Sequence, residues 1–272
     1  MKYNRQLLKA GTEMKANGIL ALLTDFGTSD WYVASIKAAA LSSNSAVQLV
    51  DITHEISPGS ISEGAFVLSR CFNDFPAGTT FVVVVDPGVG TTRSPVIVEA
   101  GDYFFVGPDN GVLYPAISQL TIRDQVRIES EAWMGRKTSA TFHGRDIFAP
   151  AGSCAASGVP IQEAGATADD LVPFEFPQPQ ELDGRTTGQF LYFDRFGNGL
   201  TNLLPDHVNG SKLAGLRVKD TVFPLATTFG QVEVGEPVCY WGSSGFLEAA
   251  IREGNAKTGF QLSEISKVEP VY

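Results

Sequence analysis

The segment FVVVVDPGVGTTR, residues 81–93, constrains the fold of this chain more than any other part of the sequence. It begins with five consecutive apolar residues, four of them valine, which indicate a strand buried on both faces, as in a parallel sheet. This strand leads directly into Asp86 and a Gly/Pro-containing loop that ends at Arg93. In open α/β sheets, ligands bind outside the carboxyl ends of the strands. The segment therefore predicts an α/β fold with a candidate ligand site at Asp86 and Arg93.

The loop after Asp86 does not match the two common phosphate-binding motifs. A GxGxxG fingerprint needs a third glycine where Arg93 stands, and a P-loop needs a Gly-Lys pair that this loop lacks. The plainer alternative is a tight turn in which Asp86 caps backbone N–H groups and Arg93 is solvated. This segment alone leaves both interpretations open.

Strand, loop and helix patterns alternate through the first half of the chain. A capping box, Ser60 followed by Glu63, marks the start of the second predicted helix. Three early strands lead into Asp25, Asp51 and Asp86, which would form an acidic crevice if they met at one sheet edge. The alternation predicts an N-terminal Rossmann-like α/β domain with a mostly parallel central sheet. Predicted strands cover residues 19–23, 47–50, 81–85, 96–99, 103–106 and 126–128, with the pair 96–99 and 103–106 at hairpin spacing, and predicted helices cover 31–41, 61–72 and 143–157.

The character of the sequence changes at Pro173, where three prolines within seven residues predict a stiff linker. After the linker, short apolar runs alternate with glycine turns and no convincing helix is apparent, which predicts a smaller C-terminal all-β barrel domain. The strands expected there cover residues 189–193, 232–234, 238–241 and 247–251. The predicted division is an N-terminal extension at 1–17, the α/β domain at 18–172, the linker at 173–182 and the β-barrel domain at 183–272.

Composition excludes several classes of partner. The chain has 272 residues and a net charge of -10, with no cluster of lysine or arginine, so nucleic acid and anionic membrane surfaces are not expected partners. Its three cysteines are far apart and show neither zinc spacing nor a disulfide framework. No apolar run approaches the length of a membrane span. We therefore expect a cytoplasmic protein without a bound metal.

A second group of polar residues surrounds His143 in the sequence ATFHGRD. A histidine at the entrance of a helix has its pKa lowered by the helix dipole, which favours neutral imidazole. The alternative is a partly exposed histidine near Asp146. In the C-terminal half, Asp194 and Asn198 in DRFGN, and the later GSSGFLE segment, place amides and carboxylates around glycines. Such groups can pair with a purine edge, although turn chemistry explains each motif equally well.

Seven motifs occur in a fixed order along the chain, and their combination is much more specific than any one of them alone. They are TDFG, DITHEI, VVDPGVGTTR, FVGPDNGVL, TFHGRDIFAPA, DRFGN and GSSGFLEAA. In this combination the chain resembles the S-adenosyl-L-methionine (SAM) hydrolases, also called SAM hydroxide adenosyltransferases, which are relatives of the fluorinase and chlorinase. The resemblance covers residues 19–259, nearly the whole chain.

The resemblance implies a homotrimer of two-domain subunits, with each site between the N-domain of one subunit and the C-domain of the next. It implies that SAM and water give adenosine and L-methionine without a cofactor. The implied catalytic residues are Asp86, Arg93 and His143, and the implied substrate-binding residues are Asp25, Phe142, Asp194, Asn198, Ser243, Glu248 and the backbone of Ile251.

The residue types suit that chemistry. Attack at C5′ of a sulfonium expels a neutral thioether, so the leaving group needs no general acid, whereas water, with a pKa of about 15.7, must be activated. Arg93 would favour hydroxide electrostatically, and Asp86 or His143 could orient the water and accept its proton. A dry subunit interface would help an anion to meet the sulfonium cation.

Three other functions fit parts of the sequence. A SAM-dependent halogenase would use chloride or fluoride as the nucleophile, but a carboxylate at position 86 is unsuited to an anion site. A metal-dependent hydrolase could be built on Asp25, Asp51, Asp86 and His54, and would lose its activity on chelation. A non-catalytic SAM or adenosine binding protein would bind the ligand without turnover.

Overall fold

The computed structural model describes residues 15–135, 139–182 and 184–272. Most of the predicted extension, residues 1–14, lies outside the described residues. The chain divides into two compact units, Met1–Pro173 and Phe174–Tyr272, which we call the N-unit and the C-unit.

The N-unit is built on a six-stranded sheet with the order β2-β1-β3-β5-β4-β6. Strands β1, β2, β3 and β5 run parallel, whereas β4 is antiparallel to both of its neighbours. The sheet is therefore mixed, with three parallel and two antiparallel pairs. The two-residue turn at 101–102 makes β4 and β5 a hairpin. The strands are β1 (Ile19–Thr24), β2 (Gln48–Thr53), β3 (Thr80–Val84), β4 (Pro95–Ala100), β5 (Tyr103–Pro108) and β6 (Ile122–Arg127).

Helices cover both faces of this sheet, so its central strands lie between two apolar layers. Side chains of β3 alternate between the layers: Val82 and Val84 join one cluster and Phe81 and Val83 the other. All five residues of β3 are buried, which confirms the expectation of a strand buried on both faces. The helices are α1 (Tyr32–Ser43), α2 (Ile61–Cys71), α3 (Tyr114–Ile117) and α4 (Ala149–Ala156).

The predicted helix at 143–157 begins differently from an ordinary helix. A π-helical turn, Gly144–Phe148, directly follows His143 and leads into α4. Such turns insert a residue into the helical repeat and often lie at functional sites. Gly152 lets α4 approach the sheet, because a Cβ there would overlap the side chain of Val82.

The C-unit is an antiparallel sheet that nearly closes into a barrel. Seven strands follow the order β11-β10-β14-β8-β9-β13-β12, with β7 paired to β8, and a bridge between Leu225 and Cys239 brings the two ends together. One helical turn, α5 (Ala256–Gly259), interrupts the all-β pattern. The strands are β7 (Gln180–Leu182), β8 (Arg185–Phe193), β9 (Gly199–Thr201), β10 (Gly215–Val218), β11 (Thr221–Pro224), β12 (Pro237–Trp241), β13 (Leu247–Ile251) and β14 (Lys267–Val271).

The strand predicted at 232–234 is wrong. This segment follows a 3-10 turn, Phe229–Gln231, and enters a turn at Gly235, whose φ is +87°. Val234 is 59% exposed, so its apolar side chain does not pack against a sheet. Within the described ranges 15–135, 139–182 and 184–272, no helix is long and apolar enough to cross a membrane.

Candidate active site

Asp86 and Arg93 form a buried ion pair at the carboxyl end of β3. Arg93 donates from Nε to both carboxylate oxygens of Asp86 at 3.0 Å, and its Nη2 makes a further close contact with Oδ2. Their side chains are only 5% and 8% exposed, respectively. The guanidinium also stacks 5.1 Å from the ring centre of Phe148. Arg93 is therefore not solvated, as the alternative interpretation of this loop requires. Burying two charges costs free energy unless their geometry and hydrogen bonds compensate, and the contacts of Arg93 with both carboxylate oxygens provide that compensation.

Arg93 also contacts His143, which joins the three residues into one cluster. Nη2 of Arg93 lies 2.7 Å from Nδ1 of His143. A guanidinium has donors only, so Nδ1 must be the acceptor and the ring proton is assigned to Nε2. Burial and the Arg93 charge lower the pKa of His143, while Asp86 and Asp146 act in the opposite direction. Burial is thus the largest cause of the neutral imidazole expected from the sequence.

Asp146 and Arg145 support the segment that carries His143. Arg145 donates to both oxygens of the buried Asp146 at 2.6 and 2.9 Å, and Asp146 also accepts from the backbone N–H of Ser139 at 2.7 Å. The Arg145 guanidinium stacks 4.9 Å from the ring centre of Phe142. Asp146 is therefore committed to Arg145 and Ser139 and is not the close partner of His143 that the alternative interpretation requires.

Phe142 belongs to an aromatic cluster at the amino end of α1. Its ring lies edge-on to Phe26 at 5.8 Å and to Tyr32 at 5.3 Å. Trp31, 66% exposed, packs beside Tyr32. The cluster forms an aromatic wall of mutually edge-on or tilted rings, and Phe142 directly precedes His143 in the sequence.

Asp25 lies near the charge pair and follows β1 directly. Its Oδ2 accepts a hydrogen bond from the backbone N–H of Gly59 at 2.7 Å. Burial raises the pKa of Asp25, and the charge of Asp86 contributes in the same direction. Two of the three aspartates expected at this edge of the sheet therefore influence each other.

Asp51 does not belong to this acidic crevice. It lies inside β2 rather than after it, and it pairs with Lys37 of α1 at 2.6 Å and with Nε2 of His54 at 3.2 Å. Nδ1 of the buried His54 lies 2.8 Å from the hydroxyl of Thr24. In the described part of the chain, no three His, Cys, Asp or Glu side chains are arranged to hold a metal ion.

The C-unit contains a cavity of about 570 Å³. It brings together all five C-terminal residues that the resemblance implies for substrate binding, Asp194, Asn198, Ser243, Glu248 and Ile251. Six further residues complete its lining: Phe196, Phe229, Tyr240, Gly242, Glu253 and Gly254.

Hydrogen bonds within the DRFGN turn orient one side of the cavity. Asp194 Oδ1 accepts from the backbone N–H groups of Phe196 and Asn198, and Oδ2 accepts from Asn198 Nδ2, all at 2.9 Å. Asn198 is 7% exposed and keeps one amide hydrogen and its carbonyl oxygen for a ligand. The turn chemistry and the ligand chemistry expected from the sequence are therefore compatible.

Glu248 and Tyr240 form the opposite side, on β13 and β12, where they are directly cross-strand. Burial raises the pKa of Glu248, and the Asp194 charge adds to this effect, whereas a hydrogen bond from Tyr240 opposes it. Burial and the Glu248 charge also raise the pKa of the Tyr240 phenol. Gly242 makes room for the carboxylate, because a Cβ at 242 would overlap it.

Sequence reasoning missed the aromatic lining of this cavity. Phe196 is 74% exposed, and Phe229 packs against Tyr240 with ring centres 4.7 Å apart. The sequence signal for Phe196 was a phenylalanine next to Gly197 within the polar turn DRFGN. Phe229 and Tyr240 meet only through barrel closure, which no local pattern predicts.

Comparison with known proteins assigns the family. Residues 20–165 match the SAM hydroxide adenosyltransferase N-terminal domain and residues 188–269 match the C-terminal domain. The chain therefore belongs to the SAM hydroxide adenosyltransferase family, as the ordered motifs predict.

Curated relatives with the name (R)-S-adenosyl-L-methionine hydrolase include the following two. The protein from Thermus thermophilus is 37% identical over 89% of this chain and 95% of its own length. The protein from Salinispora tropica is 35% identical over 87% and 91%, respectively. A crystal structure of an uncharacterized conserved protein from Thermotoga maritima superposes with a TM-score of 0.85 at 33% identity, covering 93% of this chain and 100% of the other.

More distant relatives include fluorinases. The fluorinase of Actinopolyspora mzabensis is 27% identical over 90% of this chain and 94% of its own length. Proteins named as fluorinases are thus also similar to this chain, at lower identity than the two hydrolases.

Proposed function

We propose that this chain is an enzyme that hydrolyses SAM to adenosine and L-methionine by attack of water at C5′. The observation that carries the proposal is the buried Asp86–Arg93–His143 cluster, which holds a carboxylate, a fixed cation and a neutral imidazole within hydrogen-bonding distance. Similarity to enzymes named as SAM hydrolases supports it.

In the proposed mechanism, His143 orients the water and Asp86 receives its proton. With Nδ1 accepting from Arg93, the neutral ring presents Nε2–H, a donor that can hold a water oxygen but cannot remove a proton. Asp86 keeps lone pairs that Arg93 does not use, so it is the remaining acceptor in the cluster. A new C5′–O bond forms while the C5′–S bond breaks, its electron pair leaves with the thioether of methionine, and one proton is released.

Arg93 acts on both partners of the water. It donates hydrogen bonds to both carboxylate oxygens of Asp86, and its charge disfavours a second cation on His143. The aromatic wall at Phe142 gives the sugar an apolar surface, and Asp25 offers a carboxylate to the ribose hydroxyls.

The C-unit cavity would take the adenine and methionine parts of the substrate. Asn198 offers a free amide hydrogen and a carbonyl oxygen to a purine edge, and Phe196 offers an exposed ring for stacking. Glu248 and Asp194 supply negative charge for an ammonium group. The Ser243 hydroxyl and the backbone of Ile251 complete the polar contacts, and the substrate would be the (R)-epimer named for the relatives.

We further propose a homotrimer in which the N-unit of one subunit and the C-unit of the next complete each site. The functional halves would be a Rossmann-like domain at 18–172 and a barrel at 183–272, joined by the linker at 173–182 and preceded by an extension at 1–17. The parallel strand order β2-β1-β3-β5 supports the Rossmann-like description. The chemistry needs neither a metal nor an organic cofactor.

Halide attack is disfavoured by the charges of the site. A halide beside Asp86 would face a carboxylate whose neighbouring cation, Arg93, is already paired with it. Hydrolysis instead uses a neutral nucleophile and needs such a carboxylate to take up the proton.

Product analysis tests the proposal. EDTA-treated protein is incubated with SAM in chloride-free buffer, and the products are chromatographed. Equal amounts of adenosine and methionine are expected. A 5′-halo-adenosine that appears only after chloride or fluoride is added would establish the halogenase, and bound SAM without products would establish a binding protein. A rate that depends on an added divalent ion would establish the metal-dependent alternative.

A further inference from the structure

The FVGPDNGVL motif contributes no residue to the proposed chemistry, yet it contacts the catalytic loop at both ends. Nδ2 of Asn110 donates to the carbonyl of Val85 at 2.9 Å. The backbone N–H of Asp109 donates to the carbonyl of Ser94 at 2.9 Å. Val85 immediately precedes Asp86, and Ser94 immediately follows Arg93. The turn at 108–111 therefore bonds to the residues that flank the whole loop.

We propose that Asn110 is a positioning residue that fixes the geometry of the Asp86–Arg93 pair through the Val85 carbonyl. The proposal rests on the function proposed above for this pair. Asn110 is half-buried, and its hydrogen bond goes to the Val85 carbonyl and not to the side chain of Asp86 or Arg93. It therefore acts through the backbone. The orientation of the Val85–Asp86 peptide sets the direction in which the Asp86 side chain leaves the chain.

An asparagine is suited to this position because both halves of its amide are used. Nδ2 donates to Val85, while Oδ1 accepts from the backbone N–H of Val112 at 3.1 Å. Aspartate at 110 would keep the shape and the Val112 bond, but when ionised it has no hydrogen to donate. The Asn110→Asp variant therefore removes one bond of the turn and leaves its size unchanged.

The turn itself is anchored on two sides. Oδ1 of Asp109 accepts from the backbone N–H of Val172 at 2.8 Å. At position 107, a Cβ would lie 2.5 Å from the Val83 carbonyl, so only glycine allows β5 to approach β3 this closely. A turn fixed to β3 and to Val172 can serve as a rigid support for the loop, which is a requirement for precise catalytic geometry.

Asn17 provides a matched control at the opposite end of the same sheet. Its Nδ2 donates to the carbonyl of Ala77 at 3.0 Å, and its Oδ1 accepts from the N–H of Ile19 at 2.8 Å. Its Nδ2 also donates to the hydroxyl of Thr79 at 3.1 Å, so Asn17 has the same donor and acceptor roles as Asn110 with more partners. It lies ahead of β1 and β3, far along the strands from Asp86. A merely structural role would give the two asparagines similar consequences.

The first test compares Asn110→Asp with Asn17→Asp in SAM hydrolysis. For Asn110→Asp we expect kcat to fall by about tenfold or more with KM changed less than about twofold, because small displacements of reacting groups reduce turnover strongly. In an Asp86→Asn background, Asn110→Asp should give no further loss. For Asn17→Asp, both constants should stay within about twofold of the parent. Equal effects of the two variants, or full additivity with Asp86→Asn, would overturn the proposal.

A second test does not depend on SAM hydrolysis. The imidazole of His143 is titrated by NMR in Asn110→Ala and Asn17→Ala. Burial and the charge of Arg93 lower the pKa of His143, with Asp86 and Asp146 acting in the opposite direction. If the loop loosens, Arg93 moves from Nδ1 and the pKa of His143 rises in Asn110→Ala, whereas Asn17→Ala matches the parent. An unchanged titration in a folded Asn110→Ala variant would contradict the positioning role of Asn110. This holds even if the parent protein formed no adenosine and the proposed function itself failed.

Discussion

Nη2 of Arg93 lies 2.7 Å from Nδ1 of His143, and this contact decides which nitrogen of the histidine faces the chemistry. Because the guanidinium can only donate, a protonated Nδ1 would oppose it directly. The neutral ring with its proton on Nε2 is therefore the form compatible with the site. In this account His143 holds the water in place, and Asp86 takes its proton.

The role of His143 can be tested by replacing it with glutamine. Glutamine can accept from Arg93 with its carbonyl oxygen and donate to water with its amide, so His143→Gln should retain turnover within about tenfold of the parent. His143→Ala should lose about a hundredfold or more. Steady-state rates decide between the roles, since a general base would be lost equally in both variants.

The pH dependence should follow the lowered pKa of His143. The neutral form persists below the ordinary histidine pKa of about 6.5, and turnover is lost only as falling pH protonates the ring. In His143→Gln this acidic loss should be absent or displaced to the pKa of a carboxylate. A wild-type rate that already declines as the pH falls through 7, or a loss at 6.5 common to both proteins, would contradict the assignment.

The Asp86–Arg93 pair should tolerate neither loss of a partner nor a change of geometry. Asp86→Ala and Arg93→Ala should each lose most turnover while the fold persists, at a stability cost of about 3–5 kcal/mol for the unpaired buried charge. Arg93→Lys keeps the charge but cannot contact both Asp86 oxygens and His143, so it should fail as well. Thermal melting checks the fold and binding of SAM checks the site. A folded, SAM-binding Arg93→Ala protein with wild-type rates would rule out the mechanism.

The C-unit cavity is tested by Gly242→Ala. A Cβ at 242 would overlap the Glu248 carboxylate, so this carboxylate must leave its position. Because Glu248 is proposed to face the ammonium group of the substrate, we expect L-methionine to bind about tenfold or more weakly, a change of at least about 1.4 kcal/mol. Gly210→Ala is the control, because no atom lies within 4 Å of a Cβ there. The measurement is calorimetric titration with L-methionine, and equal binding by the two variants would count against this cavity.

Shared sites can be tested by mixing two impaired variants and assaying them at SAM concentrations well below KM. Asp86→Asn damages only the N-unit, and Gly242→Ala damages only the C-unit. If each site uses two subunits, a site in a random mixed trimer receives an intact N-unit in half of the cases and an intact C-unit in half of the cases. About a quarter of the sites are then intact on both sides. Co-expressed chains should therefore recover about a quarter of wild-type activity. No recovery in mixed trimers, or a fully active monomer, would refute the shared site.

Local chemistry explains which parts of the fold and site the sequence predicts. The buried strand β3 follows from its unbroken valine run. The predicted N-cap at Ser60 is present, with its side chain accepting from the N–H of Glu63, whereas the Glu63 carboxylate accepts from the N–H of Ser57 instead of closing the capping box. The hairpin at β4 and β5 follows from its two-residue spacing. These features depend on neighbours in sequence.

Features that depend on strand register or barrel closure cannot be predicted from a local stretch of sequence. Asp51 looks equivalent to Asp25 and Asp86, yet β2 continues past it and pairs it with Lys37. The contact between Asn110 and Val85 depends on how β5 aligns with β3. Short strands such as β10 and β11 carry few apolar residues and gain their stability from their partners in the barrel.

Hydrolysis in water enriched in oxygen-18 tests the central claim most directly. The account predicts that mass spectrometry finds one labelled oxygen in the 5′-hydroxyl of adenosine and none in methionine, because the water oxygen forms the new bond to C5′. Unlabelled adenosine, or label in homoserine released together with 5′-methylthioadenosine, would contradict attack at C5′ and with it the roles of Asp86, Arg93 and His143.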